Sequence, residues 1–390
     1  MRFWLSIATV SGLAAATAGC SSLPSQGPSA LDILQQGSPT DPDITPRFLI
    51  TDLNEYSVSV LERTPLPSLY SRFGDHRAPP APVIGVGDSV TVTVWEAAAG
   101  GLFSAPALGG VSTGSHSSVI PDQVVARDGS ITVPYAGRIH VVGLTPPQIE
   151  AAIVERLSGK AIEPQALVGV SRNISNTVTV TGEVTAGARV PLSTRGDRIL
   201  DVIASAGGIK APVHATFLAL SRGNMTVQVP MQALLTNPRE NIYLRSGDVL
   251  TAVLDPQTFT AFGATGRNAL VPFDAIGISL EEGVAKAGGL LDLSADPQGV
   301  FVMRVEPAAV ARQLNPAYPI APGQQFVNVV YRINLRDAGT YFLARRFPVR
   351  NKDVIYVASS PSTELQKALS LFSTLTGPAY NAAAASTLLR

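Results

Sequence analysis

Residues 178–208, VTVTGEVTAGARVPLSTRGDRILDVIASAGG, and residues 259–289, FTAFGATGRNALVPFDAIGISLEEGVAKAGG, align without a gap. Gly182 falls on Gly263, Pro191 on Pro272, and the pair Gly207-Gly208 on Gly288-Gly289, each 81 residues apart (263 − 182 for the first). A pattern repeated in one register over this length specifies one small unit built twice. Every other feature of the chain has to be placed around that duplication.

Each copy reads as an alternating strand, a glycine turn, a second short strand and a short amphipathic helix stopped by two glycines. In the first helix Ile199, Ile203 and Ala206 fall at i, i+4 and i+7, and Leu280, Val284 and Ala287 do the same in the second, so each helix has one apolar face. Ser279 and Glu282 form a capping box, and the glycines after Ala206 and Ala287 can take the left-handed conformation that ends a helix. Farther on, residues 241–253 resemble residues 345–358, each an apolar strand after a polar turn, with Asp248 matched to Asp353. That separation is 105 (353 − 248), so the second copy carries an insertion, placed most simply in the Pro-rich piece between Glu306 and Phe326.

The length of 390 residues suits two to three domains, each large enough for its own core. With 29 basic and 29 acidic residues and no Lys/Arg run, the chain lacks the electrostatic footprint of a nucleic-acid binder. Charged residues are only 15%, against about a quarter in a typical soluble domain. Large buried or shared surfaces follow from that deficit.

The N-terminus combines one positive charge at Arg2, an apolar run from Phe3 through Ala18 and the small-residue ending Thr17-Ala18-Gly19 before Cys20, the single cysteine. Residues 1–19 are thus a secretory signal peptide. Its ending resembles a bacterial lipobox, which implies cleavage before Cys20 and acylation of its thiol, palmitate included; the other reading is an ordinary signal peptide followed by a chance cysteine. Acyl chains, at about 0.8 kcal/mol per buried CH₂, would anchor the protein without a spanning helix. Ser21 and Ser22 follow with no Asp, the pattern that in lipoproteins implies outer-membrane sorting. No other segment has the roughly 18 uninterrupted apolar residues of a spanning helix, and strands interleaved with helical pieces fit a transmembrane β-barrel poorly.

Residues 20–82 are expected to form a lipid-anchored N-terminal linker segment whose first part, 21–47, reads as extended and Pro/Ser-rich. Residues 48–53 suggest one strand, and Asn54 a cap for a short helix through Val58 and Leu61. In residues 83–96, VIGVGDSVTVTVWE, Val90, Val92 and Val94 share one face of a strand. The Gly85-Gly87 pair precedes that strand and opens no helix, so it is a turn and not a nucleotide loop. Asp128-Gly129 signals a hairpin between alternating strands. Thr145 to Gln148 forms a capping box with Pro at the first helical position, for a helix carrying Ile149, Ile153 and Leu157 that stops at Gly159.

Taken together, the lipobox, the IGVGDSVTVTVWE strand, the DGSITVPYAGRIHVVGLTPPQIEAAI segment and two copies of a V-x-G-x-V…P…AGG unit resemble the Wza-like family of bacterial outer-membrane polysaccharide export proteins. The resemblance implies an α+β fold: a polysaccharide export domain at 83–172, SLBB-type β-grasp repeats at 173–257 and 258–358, and a C-terminal amphipathic helix at 359–390. It implies a lipoprotein subunit of a homo-oligomeric ring that passes capsular polysaccharide or exopolysaccharide across the outer membrane. Its expected partners are the polymer in transit, an inner-membrane copolymerase or ABC exporter, and the outer membrane through the Cys20 lipid. No cofactor is expected.

In that family the C-terminal helices of the subunits line up as a barrel through the membrane. Here Leu365, Leu369, Phe372 and Leu375 share an apolar face with Ala368, opposite Lys367, Ser370 and Thr374, but Gly377-Pro378 interrupts the pattern. Sixteen residues from Pro361 to Thr376 reach about 24 Å, short of a hydrocarbon core of about 30 Å. A helix merely kinked at Pro378 would regain the length; the other reading is a helix packed on its own domain or lying in the interface. His76, His116, His140 and His214 stand at non-ligand spacings and no nucleophile, zinc or phosphate-loop motif occurs, so no enzyme is expected. A periplasmic lipoprotein that binds sugar or peptidoglycan without forming a pore stays open as the second function.

Overall fold

The computed structural model describes residues 27–38, 46–63, 67–74, 77–97, 102, 116–363 and 366. The chain forms two compact units, Leu66–Asp255 on one side and Met1–Pro65 with Pro256–Arg390 on the other.

The N-terminal segment contributes α1 (Ala30–Gly37), β1 (Leu49–Asp52) and α2 (Glu55–Glu62) to the second of these units, and α3 (Leu69–Phe73) to the first. Ser29 and Asn54 start α1 and α2, accepting the amides of Asp32 at 3.2 Å and Ser57 at 2.9 Å. The strand and helix expected at 48–61 are present, and the stretch 21–47, expected to be an extended linker, carries α1, whose Ile33 is buried against the second repeat. Leu49, Leu53, Val58 and Leu61 are buried in the core of the second repeat, and β1 joins its sheet. Four such side chains, each worth about 1.5–3 kcal/mol when fully buried, outweigh the freedom of a tether.

Residues 77–172 build the export-type domain. It contains β2 (Ser89–Glu96), β3 (His116–Val124), β4 (Ser130–Val133), β5 (Gly137–His140), α4 (Pro146–Leu157) and β6 (Gln165–Arg172). Strand β2 is central, antiparallel to β3 and β6. Its alternation puts Val90, Val92 and Val94 into a core with Ile149, Ile153 and Leu157 of α4. Thr145 and Gln148 form the expected capping box at the start of α4, the Thr145 amide donating to the Gln148 side chain at 2.9 Å. The hairpin lies one turn later than expected. Asp128-Gly129 closes a tight turn between β3 and β4, with Gly129 N–H donating to Ala126 O at 2.9 Å, whereas the paired hairpin is β4–β5 around Tyr135 at φ 63°.

The first repeat follows as β7 (Thr177–Gly182), β8 (Ala188–Pro191), α5 (Ile199–Ser205), β9 (Thr216–Arg222), β10 (Met225–Pro230), α6 (Met231–Thr236) and β11 (Val249–Leu254). The sheet order is β10-β9-β11-β7-β8, with β11 and β7 parallel. The second repeat comprises β12 (Gln257–Gly263), β13 (Ala269–Phe273), β14 (Ile278–Ser279), α7 (Leu280–Lys286), β15 (Ala295–Pro307), α8 (Ala308–Leu314), β16 (Phe326–Ile333), α9 (Ala338–Arg346), β17 (Pro348–Val349) and β18 (Val354–Ser359). Its order, β1-β16-β15-β18-β12-β13, is that of the first repeat with β1 added at one edge.

The insertion sits where the sequence placed it. A tight turn at Gly223 joins β9 to β10, whereas the matching β15 and β16 are joined by α8 and the loop to Phe326. The glycine shared by both copies has a steric cause. Gly182 has φ 87° and Gly263 φ 89°, and a β-carbon would overlap the carbonyl oxygens of Ala252 and Val357 on the parallel neighbouring strands.

Candidate functional site

The same carboxylate turn starts a strand three times. At Gly85, Arg245 and Arg350 the backbone N–H donates to an aspartate three residues on, Asp88, Asp248 and Asp353, at 2.9, 2.8 and 2.7 Å. Each aspartate N–H returns to the carbonyl of that first residue. The third position needs positive φ, as in a type II turn, and is Gly87, Gly247 or Lys352 at φ 90°, 84° and 69°. Asp88 also accepts the N–H groups of Ile174 and Ser175 and the Ser175 hydroxyl, at 2.8, 2.8 and 2.6 Å. Burial alone would raise its pKa, but these hydrogen bonds, Ser175's first, hold it below the ordinary aspartate value.

In the repeats an arginine closes the turn. Arg222 grips Asp248 through Nε and Nη2 at 2.9 and 2.7 Å, and Arg304 grips Asp353 in the same way at 2.8 and 2.6 Å. Each Nη2 also donates to a backbone carbonyl, Tyr243 in one copy and Pro348 in the other. The second copy enlarges the pair into a buried network. Fully buried Glu306 accepts from Arg304 at 3.2 Å, Tyr331 at 2.9 Å and Arg350 at 2.8 Å, and Arg304 lies over the Tyr331 and Phe347 rings. Burial opposes charge on Arg304, yet the hydrogen bonds and charge of Asp353, with the charge of Glu306, raise its pKa. Burial first, then the Glu306 charge, pushes the Tyr331 hydroxyl well above the ordinary tyrosine range, so it stays a donor.

N-terminal helices are fastened to both repeats. Glu240 accepts the Ser68 hydroxyl at 2.6 Å and the Leu69 amide at 2.7 Å at the start of α3, while Phe73 lies over Arg222. Arg346 on α9 binds Glu62 bidentately at 2.9 and 3.0 Å and Glu55 at 2.7 Å, tying down α2.

Cys20, Leu365, Leu369, Phe372 and Leu375 lie outside the described residues; the places where the chain sets out toward them do not. Residues 361–363 begin helically, Thr363 N–H donating to Ser360 O at 3.0 Å. Pro28, eight residues after Cys20, accepts the Tyr356 hydroxyl at 2.7 Å, so both flanks are held by the second repeat at β18.

Among the described residues these networks do not gather the histidines. His116 begins β3, His140 ends β5 and His214 lies in a separate turn, while His76 is outside the described residues. Among the described residues no group of three His, Cys, Asp or Glu could hold a metal, and no helix is long and apolar enough to cross a membrane. A cavity of about 60 Å³ between α7 and α9 is lined mostly by apolar side chains, Leu280, Val284, Val300 and Ile333 among them, with Glu281 and Tyr341. The distinctive surface is apolar. On the open face of β3-β2-β6, Val119 and Leu167 flank Thr93 and are 63% and 55% exposed. On the sheet of the second repeat, Phe262 and Leu270 are diagonal neighbours and also exposed.

Comparison with known proteins places these parts in one lineage. The profile for polysaccharide biosynthesis/export proteins matches residues 76–171, and SLBB domain profiles match 177–231 and 257–357. The chain is 39% identical to the capsule polysaccharide export outer membrane protein CtrA of Neisseria meningitidis serogroup B, over 93% of both chains. It is 36% identical to the capsule polysaccharide export protein BexD of Haemophilus influenzae, over 92% of both, and 28% identical to the Vi polysaccharide export protein VexA/TviF of Salmonella typhi, over 73% of this chain and 76% of that one. With an export domain, two successive β-grasp repeats and this likeness across both units, the chain belongs to the family of capsule polysaccharide export outer membrane proteins.

Proposed function

We propose that this protein is a lipid-anchored subunit of an oligomeric outer-membrane conduit through which capsular polysaccharide or exopolysaccharide leaves the cell. The observation that carries the reading is the match to capsule exporters over more than nine-tenths of both chains. It spans the export domain and both repeats, so the likeness is to a whole exporter and not to one module.

The polymer passes a lumen made by shape, with no bond made or broken by the protein. Cys20 carries the lipid, and Leu365, Leu369, Phe372 and Leu375 face the bilayer in the assembled ring. Support comes from the second repeat, which holds the chain at both Pro28 and Ser360, close in sequence to the two segments that would meet the membrane. The exposed Val119 and Leu167 face of the export domain, and Phe262 with Leu270 in the second repeat, are suited to contact neighbouring subunits. The export domain would meet the inner-membrane copolymerase or ABC exporter that delivers the polymer. Light scattering and negative-stain images of the acylated chain in mild detergent test the assembly: the reading expects closed rings, and a monomer at every concentration would remove it.

A further inference from the structure

Leu291 and Leu293 follow the glycine pair of the second repeat and are 43% and 88% exposed. They are presented by a built turn. Leu291 N–H donates to Ala264 O at 3.1 Å, Ser294 N–H donates to Leu291 O at 3.0 Å, and Leu290 bridges Thr265.

The first repeat is an internal control. Its equivalent bridge joins Val184 to Ile209, and the positions 81 residues before Leu291 and Leu293 are Lys210 and Pro212 (291 − 81, 293 − 81). At the same end Arg267 and Lys286 replace Ala186 and Ser205 (267 − 81, 286 − 81). Between the copies the second therefore gains two projecting leucines, Arg267 and Lys286, while it loses the cation of Lys210 and gains Asp292.

That end is also where the chain departs. Ser294 O accepts the Ser360 amide at 2.8 Å and Leu293 O accepts the Thr363 hydroxyl at 3.0 Å, so the leucine turn is tied to the root of the C-terminal segment. Cys20 precedes Gly27 by seven residues, at most about 25 Å of extended chain.

We propose that the Leu291–Leu293 turn is a membrane contact: its partner is the lipid surface that holds the Cys20 anchor, with Arg267 and Lys286 facing anionic headgroups. The proposal rests on the lipid-anchored reading above. Asp292, exposed between the leucines, sets the depth, because a carboxylate is costly in hydrocarbon; the turn lies at the interface.

The test uses the acylated full chain on vesicles of phosphatidylethanolamine and phosphatidylglycerol. Acylation occupies Cys20, the only cysteine, so Leu293→Cys can be labelled alone with an environment-sensitive fluorophore, and Pro212→Cys serves as the control from the first repeat. Flotation first establishes that each labelled chain is on the vesicles. The expected result is blue-shifted emission at position 293, quenched by nitroxide lipid and shielded from iodide, with the reverse at 212. Iodide access at 293 on floated vesicles overturns the proposal. Shielding without lipid quenching also overturns it and assigns the turn to a protein neighbour. Loss of flotation removes the anchor reading and this contact with it.

Discussion

Replacing Asp353 with Ala leaves Arg304 charged in a site where its side chain is 4% exposed. The aspartate accepts two guanidinium hydrogen bonds, at 2.8 and 2.6 Å, and the Arg350 amide at 2.7 Å. Removing one partner of such a buried pair costs about 3–5 kcal/mol. Glu306 shares Arg304 but also serves Tyr331 and Arg350, so it compensates only in part. Asp248→Ala should cost less, because Arg222 is 16% exposed and can recruit water. The assay is urea unfolding of a chain lacking residues 1–19, followed by far-UV circular dichroism and by tryptophan fluorescence. Trp95 is then the single tryptophan and reports only the unit that contains the first repeat. Asp353→Ala should move the dichroism transition of the second-repeat unit and leave the Trp95 transition in place. Adding Arg304→Met, which removes the stranded charge, should recover part of the loss. A loss under about 1 kcal/mol, or equal movement of both transitions, would refute the assignment of this network as a local clamp.

Three further outcomes follow from the turns. Lys352 is exposed and held at φ 69°, where its counterparts are glycines, so Lys352→Gly should stabilise the second-repeat unit by about 0.5–1 kcal/mol; destabilisation in the same urea assay contradicts the strain. Gly182→Ala should lower the Trp95 transition by more than the about 1–2 kcal/mol expected from the left-handed backbone alone, because the added methyl meets the Ala252 carbonyl; an unchanged midpoint would sink the steric account. The depressed pKa of Asp88 means its stabilisation is complete above the unfolded value of about 3.9 and is lost as pH falls through the folded pKa. Asp88→Asn should therefore weaken the Trp95 unit at pH 7 and flatten its decline toward pH 3, and a variant with the wild-type decline would clear Asp88 of that role.

Local rules made much of this fold legible. The 81-residue register located both repeats, alternation at Val90, Val92 and Val94 located the core face of β2, and the capping box at Ser279 and Glu282 located α7. What escaped depends on distance in sequence. Arg304 meets Asp353 across 49 residues and Arg346 meets Glu62 across 284, and neither pairing leaves a periodic trace. The arginine clamp had one usable signal, because Arg222 and Arg304 stand 82 apart (304 − 222), nearly the repeat spacing. Residues 48–61 read as a strand and a capped helix, but no local signal told that four of their apolar side chains are buried in the second repeat, far along the chain. Asp128-Gly129 misled in the opposite way, since a tight turn needs only local chemistry while a ladder needs a partner strand, and the paired strand came one turn later.

The proposed function has this chain carry polysaccharide across the outer membrane. Its most direct test is the distribution of polymer in cells that lack the chain, measured as surface polysaccharide on intact cells against polysaccharide released on lysis. Surface polymer should disappear while polymer accumulates inside, with both restored by the full chain and not by one lacking residues 361–390. Undiminished surface polysaccharide in the deletion cells would contradict it.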